Sequence, residues 1–447
     1  MTSRRHIATI RFGLGLRLGE TPPGVPEAWL AAQLASPAPA PAGVTSTEAI
    51  RTRAEAIAER RQRDRSAAQL SAVPAAPRLG MEGEARGALV SLVRAEARAW
   101  AERRLASPEP FRDRLVDFWA NHFTVSRRVG TVGALSGALE REAIQPHLTG
   151  RFADMLVAVT KHPAMLVYLD NHTSIGPNSR AGQRIGRGLN ENLAREVLEL
   201  HSLSPAGGYT QSDVQELAKI LTGWSVALER EPFGFVWRPN THEPGEKILL
   251  GRRFREGEGS QEAALRFLAS RPATYRHLAL KLARHFVADD PAPAAVRRLF
   301  DVLQRTEGDL RAACTALIAL PEAWDPPLGK FRRPQDHVLA AARALGFERG
   351  DPVLGGMAGL GQPLWSAPQP NGWPDVAESW AAPEALMRRV DWSYTFAARA
   401  GQLDPVEVAE AALGPFGRAE TVAAIRGAGS VRDALTLLFG SPEFMRR

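Results

Sequence analysis

Asn192, Arg195, Glu196 and Glu199 are the residues whose types and spacing could do chemistry. A helix is expected from about Asn190 to Ser202, and a turn of 100° per residue puts these four on one face. Leu193, Ala194, Val197, Leu200 and His201 lie round the other side. Two carboxylates at i, i+3 beside an amide and a guanidinium can ligate a hard or borderline divalent metal, or supply a general base. The same spacing also makes Arg195 and Glu199 an i, i+4 ion pair, and such faces are commonly solvated. His201 leans toward the apolar side, which suits a hydrogen-bonded core histidine better than a ligand.

A second set comes from other segments. Phe111, Leu115, Phe118 and Trp119 recur at helical spacing after Pro110 and define a core-facing helix. Asn121 and His122 stand where that helix should end, among bulky apolar residues. A polar pair at the rim of a core is where general bases and ligands are often mounted, although a histidine there can also serve the helix carbonyls and dipole. Asp170, at another helix end, can hold a metal or cap the next turn. His242, in a connection rich in turn residues, completes the candidates.

These residues need elements to position them. Gly188 to Trp224 reads as two helices joined by Gly207-Gly208, which can supply the positive φ of a helix C-terminus. Thr210 or Ser212 can cap the second helix, and Ser212 with Gln215 has capping-box spacing. Val214, Leu217, Ala218 and Leu221 then form a buried stripe. Residues 172 to 189 are a glycine-rich loop carrying Arg180, Arg184 and Arg187; they lack the Lys-Ser/Thr of a P-loop and no strand precedes them. The segments FGFVWR and EKILLG alternate and are read as one small β-hairpin. Ten or more helices complete the chain, from a charged helix near Thr45 to Ala68 to a last one near 431 to 446. The break AAPRLG separates two of them. The expected fold class is mainly α, a large multi-helix unit with one small hairpin. It is either a single unit or two lobes, about 1–265 with the motif-rich part and about 266–447.

Composition narrows the function classes. A chain of 447 residues, 44% hydrophobic and 23% charged, buries a large core. A single cysteine, Cys314, rules out an intrachain disulfide and a cysteine-based metal cluster. The net charge of +7 comes from arginine, with only five lysines among 56 basic residues, and no zinc-finger spacing, RNP-like motif or basic tail accompanies it. Nucleic-acid binding is therefore not expected. The first residues hold no apolar segment of signal-peptide length, and no window approaches 18 apolar residues. A membrane span is not expected, and the expected location is cytoplasmic.

NENLAREVLELH followed by GGYTQSDVQELAKILTGW resembles the bacterial family known as domain of unknown function 1800. FWANHFTVS, ALEREAIQPHLTG, RFADMLVAVTKHPAMLVYLDN and WSAPQPNGWPD are also similar to that family, so the resemblance covers nearly the whole chain. It weighs Asn121 and His122 toward function. Where the family usually shows His-Asp this chain has His242-Glu243, so a ligand role for that acid would have to accommodate an extra methylene. Two functions are expected from these readings. One is a metal-dependent or acid/base enzyme whose catalytic residues are Asn121, His122, Asn192, Arg195, Glu196 and Glu199, with a divalent metal on His122, Glu196, Glu199 and His242. The helix lacks the Glu-x-x-His spacing of helical di-iron sites. The other, implied by the resemblance, is a non-catalytic partner of an alkaline phosphatase/sulfatase-like protein.

Overall fold

Apolar residues at helical spacing dominate the chain, and the computed structural model is accordingly about 61% helical. It describes residues 2–37, 42–70, 83–128, 130–185 and 188–447. The AAPRLG break and Gly186-Arg187 of the glycine-rich loop lie outside these residues. The helices that matter for function are α1 (Gly83–Ala106), α2 (Pro110–His122), α3 (Val132–Leu139), α4 (Asn192–Glu196), α5 (Gln211–Leu221), α6 (Pro272–Phe286), α7 (Pro334–Ala344), α8 (Pro383–Ala397) and α9 (Val431–Gly440). Proline opens α2, α6, α7 and α8 at the first turn, where its missing N–H has no intrahelical partner to lose.

Two of these helices loosen into π-turns: α3 continues as Glu140–Ile144 and α4 as Val197–His201. Such single turns are frequent at functional sites because they displace side chains from the regular helical ladder. Helix α5 is capped by Thr210, whose side chain accepts from the Asp213 N–H while Asp213 bonds back to the Thr210 N–H. The capping box is thus Thr210 with Asp213, two residues before the Ser212–Gln215 pair. Capping starts where the backbone is still extended, and Thr210 (φ −113°, ψ 169°) is the last such residue.

The two strand segments read as one hairpin each find another partner. β1 (Trp224–Ala227) pairs antiparallel with β2 (Gly234–Trp237), and β3 (Lys247–Leu249) pairs with β4 (Arg252–Phe254). Gly223 is indispensable to the first hairpin. Its φ is 90°, and a Cβ there would come within 2.2 Å of the Trp237 ring. The fold remains mainly α, with two small two-stranded sheets among the described residues.

Two large hydrophobic cores carry the helices, beside a small cluster of Phe331, Trp380 and Met445. One runs from Ile7 to Trp324 and includes α2, α5 and α6. The other joins the end of α1 to α7, α8 and α9. Helix α2 and the start of α7 lie at the seam, where Arg114 donates to Asp336 at 3.0 Å.

Candidate functional site

Helix α2 ends as expected, and its burial explains the position of His122. Phe111, Leu115, Phe118 and Trp119 are in the core, which carries the His122 ring inward with them. The ring is 1% exposed. Its Nε2 lies 3.3 Å from the carbonyl oxygen of His201, at the end of the π-turn following α4. A carbonyl only accepts, so Nε2 carries the proton and Nδ1 is left with its lone pair. That Nδ1 has no hydrogen-bond partner. His277, on α6, donates through Nδ1 to the next carbonyl, that of Ser202, at 2.9 Å. Its lone pair is therefore on Nε2. The orphan carbonyls of one helix end thus fix the tautomers of two histidines.

The rings of His122 and His277 are 5.9 Å apart, and that of His201 is 6.1 Å from His122. Neither nitrogen of the buried His201 is bonded. Lys281, one turn beyond His277, acts on all three. Burial, then Lys281, lowers the proton affinity of each: His122 well below the usual range, His201 to about 3 and His277 to about 4. Burial also lowers Lys281 to about 8, against a smaller opposing effect of Asp375. One turn further, His285 pairs through Nδ1 with Asp375 and leaves Nε2 without a partner. His277, Lys281 and His285 thus form one stripe on α6 at intervals of four.

Asn121 brings Asp375 to this stripe. Its amide donates to the Trp373 carbonyl at 2.9 Å and accepts the Trp373 N–H at 2.8 Å. Gly372 (φ 78°) allows the approach, since a Cβ there would stand 2.4 Å from the Asn121 carbonyl oxygen. Asp375 is held ionised, well below the usual carboxylate range; burial opposes this, but His285, Arg333 and Lys330 prevail. Residues 118–126, 201–202, 330–336 and 370–375, far apart in sequence, therefore meet around one helix, α6. A family model described as "Protein of unknown function (DUF1800)" matches residues 7–446.

The chain belongs to the DUF1800 family. No curated protein and no solved structure matches it. The α6 cluster of this DUF1800 chain contains only part of the set read from sequence. His122 is in it, and Asn121 positions the adjoining loop. Asn192 is exposed. Arg195 pairs with Glu191 at 2.9 Å and donates to Gln211, tying α4 to the start of α5. Glu196 is partly buried and its proton affinity is raised, by burial first and then by Glu199. Glu199 is partly buried, and after burial itself it raises the proton affinity of Tyr209. These four face away from Val197, Leu198 and His201, which are buried. His242 has both nitrogens engaged: Nδ1 with the Thr222 carbonyl at 2.8 Å, and Nε2 with the Gly257 N–H at 3.3 Å. Glu243 accepts from the Asn178 backbone and side chain, holding the loop near Gly176. Among the described residues, no three His, Cys, Asp or Glu side chains are grouped so as to hold a metal ion.

Sequence reasoning missed His277, Lys281, His285 and Asp375. The signal was available in the four-residue spacing of the first three. It also missed Asp117, one turn before Asn121. Asp117 and Glu140 both pair with Arg104, at 2.6 and 3.2 Å, beside a cavity of about 50 Å³ lined in part by Trp100, Trp365 and Trp373. Burial raises Asp117 to about 6 despite Arg104.

Proposed function

We propose that this chain is an enzyme that transfers protons at the α6 cluster, with neutral imidazoles as bases and Lys281 beside them. The carrying observation is that His122 and His277 have their N–H groups committed to consecutive carbonyls, so that each has a lone pair to receive a proton. Both are neutral at pH 7 and need no prior deprotonation, and their lowered proton affinity restricts them to an X–H group made more acidic by a neighbouring positive charge such as Lys281. When an X–H bond of a substrate gives its proton to His122 Nδ1 or His277 Nε2, the electron pair stays on X. Protonated Lys281 then stabilises that negative charge. Asp375 orients His285 and fixes its tautomer, as a carboxylate does for a histidine that takes part in proton transfer. Helix capping alone would account for the two carbonyl bonds, but not for the unbonded nitrogens of buried His122 and His201.

The test is turnover by the untagged protein of a panel of esters, lactones and carbonyl acids, compared with His122→Gln and His277→Gln. A loss of 100-fold or so, the lower range for a removed general base, supports the reading. Unchanged turnover in both variants overturns it. Elemental analysis tests the metal-assisted form of the reading. Near-stoichiometric zinc, iron, copper or manganese supports that form, and a metal-free active protein leaves the chemistry to the side chains.

A second reading is association with an alkaline phosphatase/sulfatase-like protein. It draws on an exposed apolar stripe, Met387, Val390 and Tyr394 on α8, beside Leu437 on α9. Co-expression with such a protein that yields no stoichiometric complex removes this reading.

A further inference from the structure

The α6 cluster holds more basic groups than its acid, Asp375, can balance. Every charged or titratable group acting on His201 and His277 is itself basic. Asp375 is the acid that faces Lys281, from the loop over α6, and it is already engaged by His285, Lys330 and Arg333. Arg284, on the same helix as Lys281, adds further positive charge. Among the described residues no ion pair forms at Lys281. The buried His122 and His201 point three nitrogens at no partner. Burying bases in this way is costly unless a ligand completes the arrangement.

We infer that the ligand of this site carries an anionic group, which docks against Lys281 and is bound together with a proton. The inference rests on the proton-transfer reading of the same cluster and adds the charge of the substrate. An anion supplies the missing counter-charge and stabilises the protonated forms of the groups around it. Lys281 is the group poised to respond near neutral pH, because it titrates near pH 8 in the free protein. His277 and His285 on its own helix, His122 from α2, His201 from the turn after α4, Asp375 and Arg284 are the charged or titratable groups that face it. The imidazoles are neutral throughout the range from pH 7 to 9 and Asp375 is ionised throughout, so Lys281 dominates the response. The sign follows. Below pH 8 the amine is already protonated and anion affinity is highest. As pH rises past 8 the free protein loses the proton while the complex retains it, and affinity falls by up to about tenfold per unit.

Isothermal titration of the full chain with sulfate and with acetate tests this, since neither anion titrates between pH 7 and 9. At pH 8, buffers of different ionisation enthalpy should reveal uptake of about half a proton per anion. Affinity should fall several-fold between pH 7.5 and 9. Lys281→Arg, which keeps its charge at these pH values, should retain binding and lose the proton uptake. Lys281→Met should lose binding at least tenfold, and circular dichroism shows whether either variant is folded. Absence of binding at millimolar anion, or binding by the wild-type protein without proton uptake, overturns the anion inference and needs no variant. The proton-transfer reading is judged separately. A loss of turnover in His122→Gln and His277→Gln would still support that reading if the anion inference fails.

Discussion

At the scale of single residues, the cluster trades stability in acid for neutral imidazoles. His122 and His201 bind protons far more weakly when folded than an ordinary histidine does. Above the ordinary histidine pKa of about 6.5 both are neutral in the folded and unfolded chain, and their contribution to stability is unchanged. Below it the unfolded chain takes up protons that the folded chain cannot. Each residue then costs about 1.4 kcal/mol per pH unit until its folded pKa is reached. Acid denaturation should therefore begin between pH 6 and 5, and His201→Phe should move the midpoint to lower pH; an unmoved midpoint would falsify this account. Asp117 acts in the opposite sense. Its pKa is raised to about 6, so its contribution is full below pH 4 and is lost as pH rises through 6. Carbon-13 titration of its carboxyl should give an inflection near pH 6.

At the scale of elements, short polar contacts set where helices begin and which loops reach the site. Thr210→Ala should destabilise by about 1 kcal/mol through loss of the α5 cap, and Ser212→Ala by much less. Chemical denaturation of the pair tells the observed capping box from the one expected from spacing. Gly223→Ala should cost about 2–3 kcal/mol, because a methyl group there meets the Trp237 ring in a left-handed backbone. Asn121 fastens the loop bearing Asp375 to α2. Asn121→Ala removes two hydrogen bonds, should cost about 1–3 kcal/mol, and should expose residues 370–375 to limited proteolysis before the rest of the chain. Protease resistance equal to that of the wild type would show that Asn121 does not hold this loop.

At the scale of the whole molecule, the two cores are joined by charges rather than by apolar packing alone. Asp336 at the start of α7 faces Arg114, Arg333 and Arg447, all buried, which together hold its carboxyl far below the usual range in spite of its burial. Removing one partner of a buried ion network leaves the others uncompensated. Asp336→Ala should therefore lower the unfolding free energy by about 3–5 kcal/mol, read from the denaturant midpoint. Much of this molecule was legible in its sequence. Helical periodicity, proline at helix starts and turn residues determined a mainly α fold, the end of α2 at His122, and the motifs of the DUF1800 family. The polar face of α4 was legible as a face, but what it meets was not. Its Arg195 pairs with Glu191 and Gln211, while His201 on the opposite side turns to the cluster. Periodicity reports which residues share a face, since that depends on neighbours three or four positions away. It does not report which faces meet. His122, His277 and Asp375 come together through contacts 75 to 252 residues apart, and the carbonyls of residues 201 and 202 choose which ring nitrogens stay free; tertiary structure alone decided both.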